Sequence, residues 1–185
     1  MKVLVAYYSR TGNTRRVAEA IAENLEVEVE EIKDYENRRG VMGFLRSGYE
    51  ALLKRPVAIQ PISKNLEEYD LVVVGSPVWA GSLSSPVRAY LAMYGRRIKE
   101  AALFATYGIS EGRIFRQMEE LLPKKPIAEI SIKEREIRSG EYLRKIERFI
   151  EMLKGPGKKA SYDDPGITWS SAKTAYLGQR LRHPT

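Results

Sequence analysis

The chain has 185 residues, 43% of them hydrophobic, enough for one domain with a substantial core and too few for two comfortable ones. It carries 31 Lys and Arg against 24 Asp and Glu, a net charge of +7. It has no cysteine and a single histidine, His183, which excludes disulfides, thiolate-held iron–sulfur centres, thiol nucleophiles, histidine metal clusters and histidine-based triads. No run approaches the ~20 apolar residues of a membrane span, and no secretory leader is visible before the first apolar run, so a cytoplasmic location is expected.

Val3 to Tyr8 reads as a first strand, and a helical pattern from Thr14 to Leu25 follows at once. Val27 to Ile32 alternates apolar and charged residues, as a strand with one exposed face does. A long segment, Tyr35 to Pro61, comes next; within it Val41 to Leu53 reads as a helix with interior glycines at Gly43 and Gly48. That helix is either an ordinary crossover helix or a cover near a ligand or a dimer contact. Leu71 to Val74 is a continuous apolar run that ends at Gly75, as in a strand buried on both faces. Ser84-Ser85-Pro86 opens a helix with Val87, Tyr90, Leu91 and Tyr94 at helical spacing. Ala101 to Thr106 is a further strand, and Ile114, Met118, Leu121 and Leu122 mark a short helix stopped by Pro123. Ile127 to Ile132 reads as a strand that extends toward Ile137. Glu141 to Leu153 reads as an amphipathic helix with Leu143, Ile146, Phe149, Ile150 and Leu153 on one face. Gly155-Pro156-Gly157 stops it. The remaining residues, 154–185, are either a disordered tail or a strap anchored by Tyr162, Ile167, Trp169, Tyr176 and Leu177.

Alternating strands and helices call for an α/β fold. Parallel strands need crossover helices, which pack on both faces of the sheet and connect right-handed. Such sheets bind ligands beyond the carboxyl ends of their strands.

Three loops follow the first, third and fourth strands and converge on that edge. The first is Ser9, Arg10, Thr11, Gly12, Asn13 and Thr14. It stands between a strand and a helix, where unpaired amides and the helix dipole favour an anion. Three hydroxyls and one permissive glycine suit a phosphate. Neither the GxxxxGK[ST] nor the GxGxxG spacing is present. An ordinary N-cap is the plainer alternative. The second loop runs from Gly75, Ser76, Pro77, Val78, Trp79, Ala80 and Gly81 on to Ser84, and in it Trp79 either offers a flat face to a planar ligand or packs within the fold or a dimer. The third is Thr106, Tyr107, Gly108, Ile109, Ser110, Glu111 and Gly112, with Thr106, Tyr107 and Gly108 as its candidate contacts, where Tyr107 either flanks a ring or stands as a surface aromatic.

The spacing Ser-x-Thr-Gly-x-Thr over Ser9 to Thr14 resembles the phosphate loop of the flavodoxin family, and the two later loops fall in the order that family uses. The resemblance covers residues 1–153 and implies a flavodoxin-like three-layer sandwich. Its five-stranded parallel sheet would have the order 2-1-3-4-5, with 35–61 as a longer crossover. It further implies noncovalent FMN, with its phosphate in the first loop and its ribityl chain and ring against Ser76 to Gly81 and Thr106 to Gly108. Electron transfer to a redox partner protein is the function implied first. The alternative is an FMN-dependent oxidoreductase that takes electrons from NAD(P)H and reduces a small acceptor such as a quinone, in some cases as a homodimer. A flavin-free binding module on the same fold is an alternative of another class. Members of that family are typically acidic, and this chain departs from them. Its basic residues are interleaved with acids and form no block with aromatics, so the excess reads as a solvated surface rather than a nucleic-acid site.

Overall fold

A computed structural model describes residues 1–35, 49 and 57–154. The helix expected over 41–53, Tyr49 apart, and the segment after 154 lie outside those residues. In chain order the elements are β1 (Val3–Tyr7), α1 (Asn13–Leu25), β2 (Glu28–Glu31), β3 (Leu71–Trp79), β4 (Ser82–Leu83), α2 (Ser85–Tyr94), β5 (Ala101–Tyr107), α3 (Ile114–Glu119), β6 (Glu129–Lys133), α4 (Glu134–Ser139) and α5 (Tyr142–Lys154).

The sheet order is β2-β1-β3-β5-β6, with every neighbouring pair parallel. This is the five-stranded order expected, since β5 and β6 take its fourth and fifth places. β4 is an addition to it, paired antiparallel with the end of β3.

The central strands are apolar on both faces because both faces are covered. Along β1, Leu4 and Ala6 join one core, while Val3, Val5 and Tyr7 join the other. β3 and β5 alternate the same way: Val72, Val74, Leu103 and Ala105 against Leu71, Val73, Ala102 and Phe104. The first core is closed by Val87, Tyr90 and Leu91 of α2 with Ile114 and Met118 of α3. The second is closed by Val17 and Ile21 of α1 with Ile146, Phe149 and Ile150 of α5. Each large side chain removed from water in these layers contributes about 1.5–3 kcal/mol.

Three expectations change. β3 does not stop at Gly75 but runs on to Trp79 and turns through Ala80 (φ 49°) and Gly81 (φ 70°) into β4. Two consecutive positive φ values make the primed two-residue turn whose twist matches the flanking strands, so the small-residue run is a hairpin rather than a free loop. In β2 the alternation fails at two positions: Val29 is exposed and Glu30 is buried, while Glu28 is exposed and the flanking Ile32 buried as expected. The Glu30 carboxylate accepts from the Ser63 amide at 2.8 Å and the Ser63 hydroxyl at 2.7 Å, which offsets its desolvation. On α5, Leu143 is exposed and Tyr142 takes its place on the buried face, one residue round the helix.

Gly75 is a packing requirement. It sits in register with Tyr7 on one side and Phe104 on the other, and a Cβ built on it would stand 1.9 Å from the Phe104 ring. Gly75→Ala is therefore expected to lower stability by about 1–3 kcal/mol, as overpacking of a close-fitted core does. Combining it with Phe104→Leu should recover part of that loss. Urea denaturation of both variants checks this, and an unchanged midpoint for Gly75→Ala would refute the packing argument.

Candidate functional site

A cleft of about 670 Å³ opens at the carboxyl edge of the sheet, lined from the ends of β1, β3, β5 and β6. Its lining includes Arg10, Thr11, Asn13 and Thr14 from the turn after β1, Pro77 to Gly81 from the β3 hairpin, and Thr106 to Ser110 after β5. Tyr49 and Glu134 complete it. The three expected loops thus share one cavity.

The phosphate-loop candidate has the features an anion needs. α1 takes Gly12 as its N-cap at φ 93°, so no side chain caps the helix. A Cβ on Gly12 would meet nothing within 4 Å, so the space above the loop is open. The first intrahelical bond here runs from the Arg16 amide to the Gly12 carbonyl, and first-turn amides of such a helix point outward unpaired. Ser9 turns the loop: its Oγ accepts from the Gly12 amide at 3.1 Å. Neither Ser9 nor Gly12 is among the cleft-lining residues; they shape the turn that presents Thr11, Asn13 and Thr14.

Thr14 is buried, and its hydroxyl is 2.8 Å from that of Thr106. Two hydroxyls joined by one hydrogen bond keep one further proton, so this pair presents a single donor to the cleft and ties the first loop to the third. Two nearby groups are occupied otherwise. The Arg15 guanidinium is bound to the Glu31 carboxylate and to the Tyr7 hydroxyl, which hold it cationic above its ordinary range. Burial raises the Tyr7 hydroxyl above the ordinary range for tyrosine. Among the described residues the cation that lines the cleft is Arg10, its guanidinium 5.8 Å from the centre of the Trp79 ring.

Trp79 lines the cleft, yet its side chain is only 6% exposed. Tyr8 packs edge-on against it at 5.5 Å and 88°, so most of the ring belongs to the core. The more accessible aromatics of the cleft are Tyr107, half-buried, and Tyr49, exposed. Ser76 is not brought to the cleft: it is fully buried and bonds the Ser84 hydroxyl at 2.9 Å, joining β3 to the start of α2.

The second and third loops brace each other. A Cβ on Gly112, at φ 61°, would come within 2.0 Å of the Gly81 carbonyl, and the Arg113 amide donates to that same carbonyl at 3.1 Å. Gln117 of α3 accepts from the Leu83 amide at 3.0 Å and from Arg88 at 2.6 Å. The β3 hairpin is therefore held from below by a helix and from the side by a loop.

Two lining residues fall outside the three loops read from sequence: Tyr49 and Glu134. Ile109 and Ser110 belong to the third loop. Tyr49 falls in the helical pattern at 41–53, for which a cover near the ligand was one reading. Glu134 was hidden because Ile127 to Ile137 reads as one strand, whereas β6 stops at Lys133 and α4 begins at Glu134. Among the described residues no group of His, Cys, Asp and Glu is placed to hold a metal ion, and no helix is long and apolar enough to cross a membrane.

Residues 1–145 match the family model of the NADPH-dependent FMN reductases. Among solved structures, a protein from Bacteroides uniformis assigned as a flavoprotein aligns at a TM-score of 0.68 with 22% identity, over 81% of this chain and 97% of that one. A similarly assigned protein from Bacteroides eggerthii aligns at 0.62 with 25% identity, over 79% and 98%. A flavoprotein from Lactobacillus acidophilus, solved in complex with FMN, aligns at 0.59 with 24% identity, over 75% and 97%. The match over residues 1–145, on a sheet of this order, makes the chain a member of the NADPH-dependent FMN reductase family and a flavodoxin-like, FMN-binding flavoprotein.

Proposed function

We propose that the chain holds FMN in the cleft at the carboxyl edge of its sheet and works as an oxidoreductase, drawing electrons from NAD(P)H for a small acceptor such as a quinone. One observation carries this reading: a single cleft of about 670 Å³ joins an uncapped helix N-terminus with neighbouring hydroxyls to a wall of apolar and aromatic side chains. FMN has the matching ends, a phosphate and a planar ring. Bound FMN supplies the redox chemistry, accepting electrons from a nicotinamide and returning them to an acceptor.

The chain's own residues bind, orient and exclude water. The first-turn amides of α1, Thr11 and the Thr14–Thr106 pair hold the phosphate, with Arg10 as the nearby cation. Pro77, Val78, Ala80 and Gly81, on a hairpin fixed at both ends, form one wall, and Tyr107 and Gly108 the other. No side chain is needed as acid or base. A nicotinamide donor is supported by the family to which the chain belongs.

An electron carrier is the second reading, and one observation favours it. Ile109 stands on the rim of the cleft 95% exposed, as an apolar contact for a protein partner would.

Thr14→Val keeps the shape of the buried side chain and removes its hydroxyl. It is expected to weaken FMN binding about tenfold, the value of one hydrogen bond to a charged group, with the far-ultraviolet circular dichroism unchanged. Fluorescence titration with FMN measures it; wild-type affinity would remove the Thr14 hydroxyl from the phosphate site. Anaerobic addition of NADPH or NADH to the FMN-loaded protein should bleach the flavin absorbance. A flavin reduced by dithionite but by neither nucleotide would overturn the reductase reading and leave the carrier.

A further inference from the structure

β6 is the last strand of the sheet, and among the described residues no strand pairs with its outer edge. In a parallel ladder alternate residues turn both backbone groups to the same neighbour. The Leu103 amide donates to the Ala128 carbonyl at 2.9 Å, so Ala128, Ile130 and Ile132 face β5. Glu129, Ser131 and Lys133 therefore turn their amides and carbonyls outward. Such an edge is a template for another chain unless something blunts it.

One ion pair does so. Lys145 of α5 donates to the outward Ser131 carbonyl at 3.2 Å, and the Glu136 carboxylate of α4 accepts from the outward Lys133 amide at 2.7 Å. The two side chains are joined to each other at 2.9 Å. A donor on the Ser131 carbonyl and an acceptor on the Lys133 amide are what one residue of an added strand would bring. The ion pair stands in that residue's place.

The edge beneath it is complementary to itself. Glu129, Ile130, Ser131, Ile132 and Lys133 carry an acid at one end, a base at the other and two isoleucines between. Set antiparallel to a copy about a two-fold axis at Ser131, Glu129 stands opposite the copy's Lys133, and Ile130 opposite the copy's Ile132. Positions 129, 131 and 133 then form the hydrogen-bonded pairs, as their outward backbone groups require. Neither Glu129 nor Lys133 has an ion pair with a described residue. Each would gain one across the axis.

We propose that the β6 edge is a pairing surface for a second copy of this chain, kept closed by the Lys145–Glu136 ion pair. The ion pair and the copy compete for the same two groups, the Ser131 carbonyl and the Lys133 amide. Opening the ion pair exposes both at once, and two sheets join into one.

The test uses the FMN-loaded full chain, which has no cysteine of its own. Ser131→Cys puts one thiol on the axis, where the Cα separation of a hydrogen-bonded antiparallel pair, about 5.5 Å, suits a disulfide. Under mild oxidation it is expected to cross-link into a dimer faster than Met152→Cys, a control exposed on α5. Adding Lys145→Met should speed the Ser131→Cys reaction about tenfold, the factor one hydrogen bond is worth, and leave the control unchanged. Sedimentation velocity of Lys145→Met alone should show a dimer that Glu129→Lys removes, since like charges then meet across the axis. The flavin spectrum and far-ultraviolet circular dichroism of each variant report that it is folded and loaded. Ser131→Cys cross-linking no faster than the control overturns the pairing without recourse to Lys145→Met. Cross-linking indifferent to Lys145→Met, a monomer in that variant, or a dimer that survives Glu129→Lys overturns it as well.

Discussion

Everything at the cleft depends on one constraint: β1, β3, β5 and β6 run in the same direction. Parallel pairing in register brings the ends of these strands to one edge, where Tyr7 lies beside Gly75 and Pro77 beside Thr106, with Tyr107 beside Lys133. Each strand must then be followed by a connection on that edge. The turn after β1, the hairpin, the Tyr107 loop and Glu134 share one edge for that reason, though 125 positions separate Ser9 from Glu134. The buried Thr14–Thr106 hydrogen bond fixes two of these connections directly to each other.

The rigidity of the site comes from below it. Ala80 holds a positive φ that a non-glycine residue adopts only at a cost, about 1 kcal/mol. The turn persists because the Arg113 amide, the close approach of Gly112 and the Gln117 carboxamide over-determine it. The wall facing the ligand is thus pre-organised, which lowers the ordering entropy that binding must overcome. The two more accessible aromatics of the cleft, Tyr107 and Tyr49, lie outside this braced region.

Features with local causes could be read from the sequence. The turn after β1 was legible as a strand–turn–helix boundary because its signal is contained in six consecutive residues, and the strand order followed from the family resemblance those residues carry. The hairpin at Ala80-Gly81 was not, since Gly75-Ser76-Pro77 ends an apolar run and looks like a break; the strand continues only because β5 pairs with it there. Glu30 could not be found as a buried residue because its partner, Ser63, is 33 residues away. Trp79 lines the cleft, but its burial under Tyr8 could not be read because it depends on a contact between two different loops. Glu134 was missed because Ile132 and Ile137 share a core although one closes a strand and the other lies on a helix.

The central claim is that the turn after β1 receives the phosphate of FMN while the hairpin and the Tyr107 loop enclose the ring. Backbone amide chemical shifts of the ¹⁵N-labelled protein, with and without FMN, test it most directly. The largest changes should fall on Thr11 to Arg15, including a strong downfield shift of first-turn amides, with a second group over Trp79 to Gly81 and Tyr107 to Ser110. FMN bound with the amides of Thr11 to Arg15 unmoved would contradict the placement.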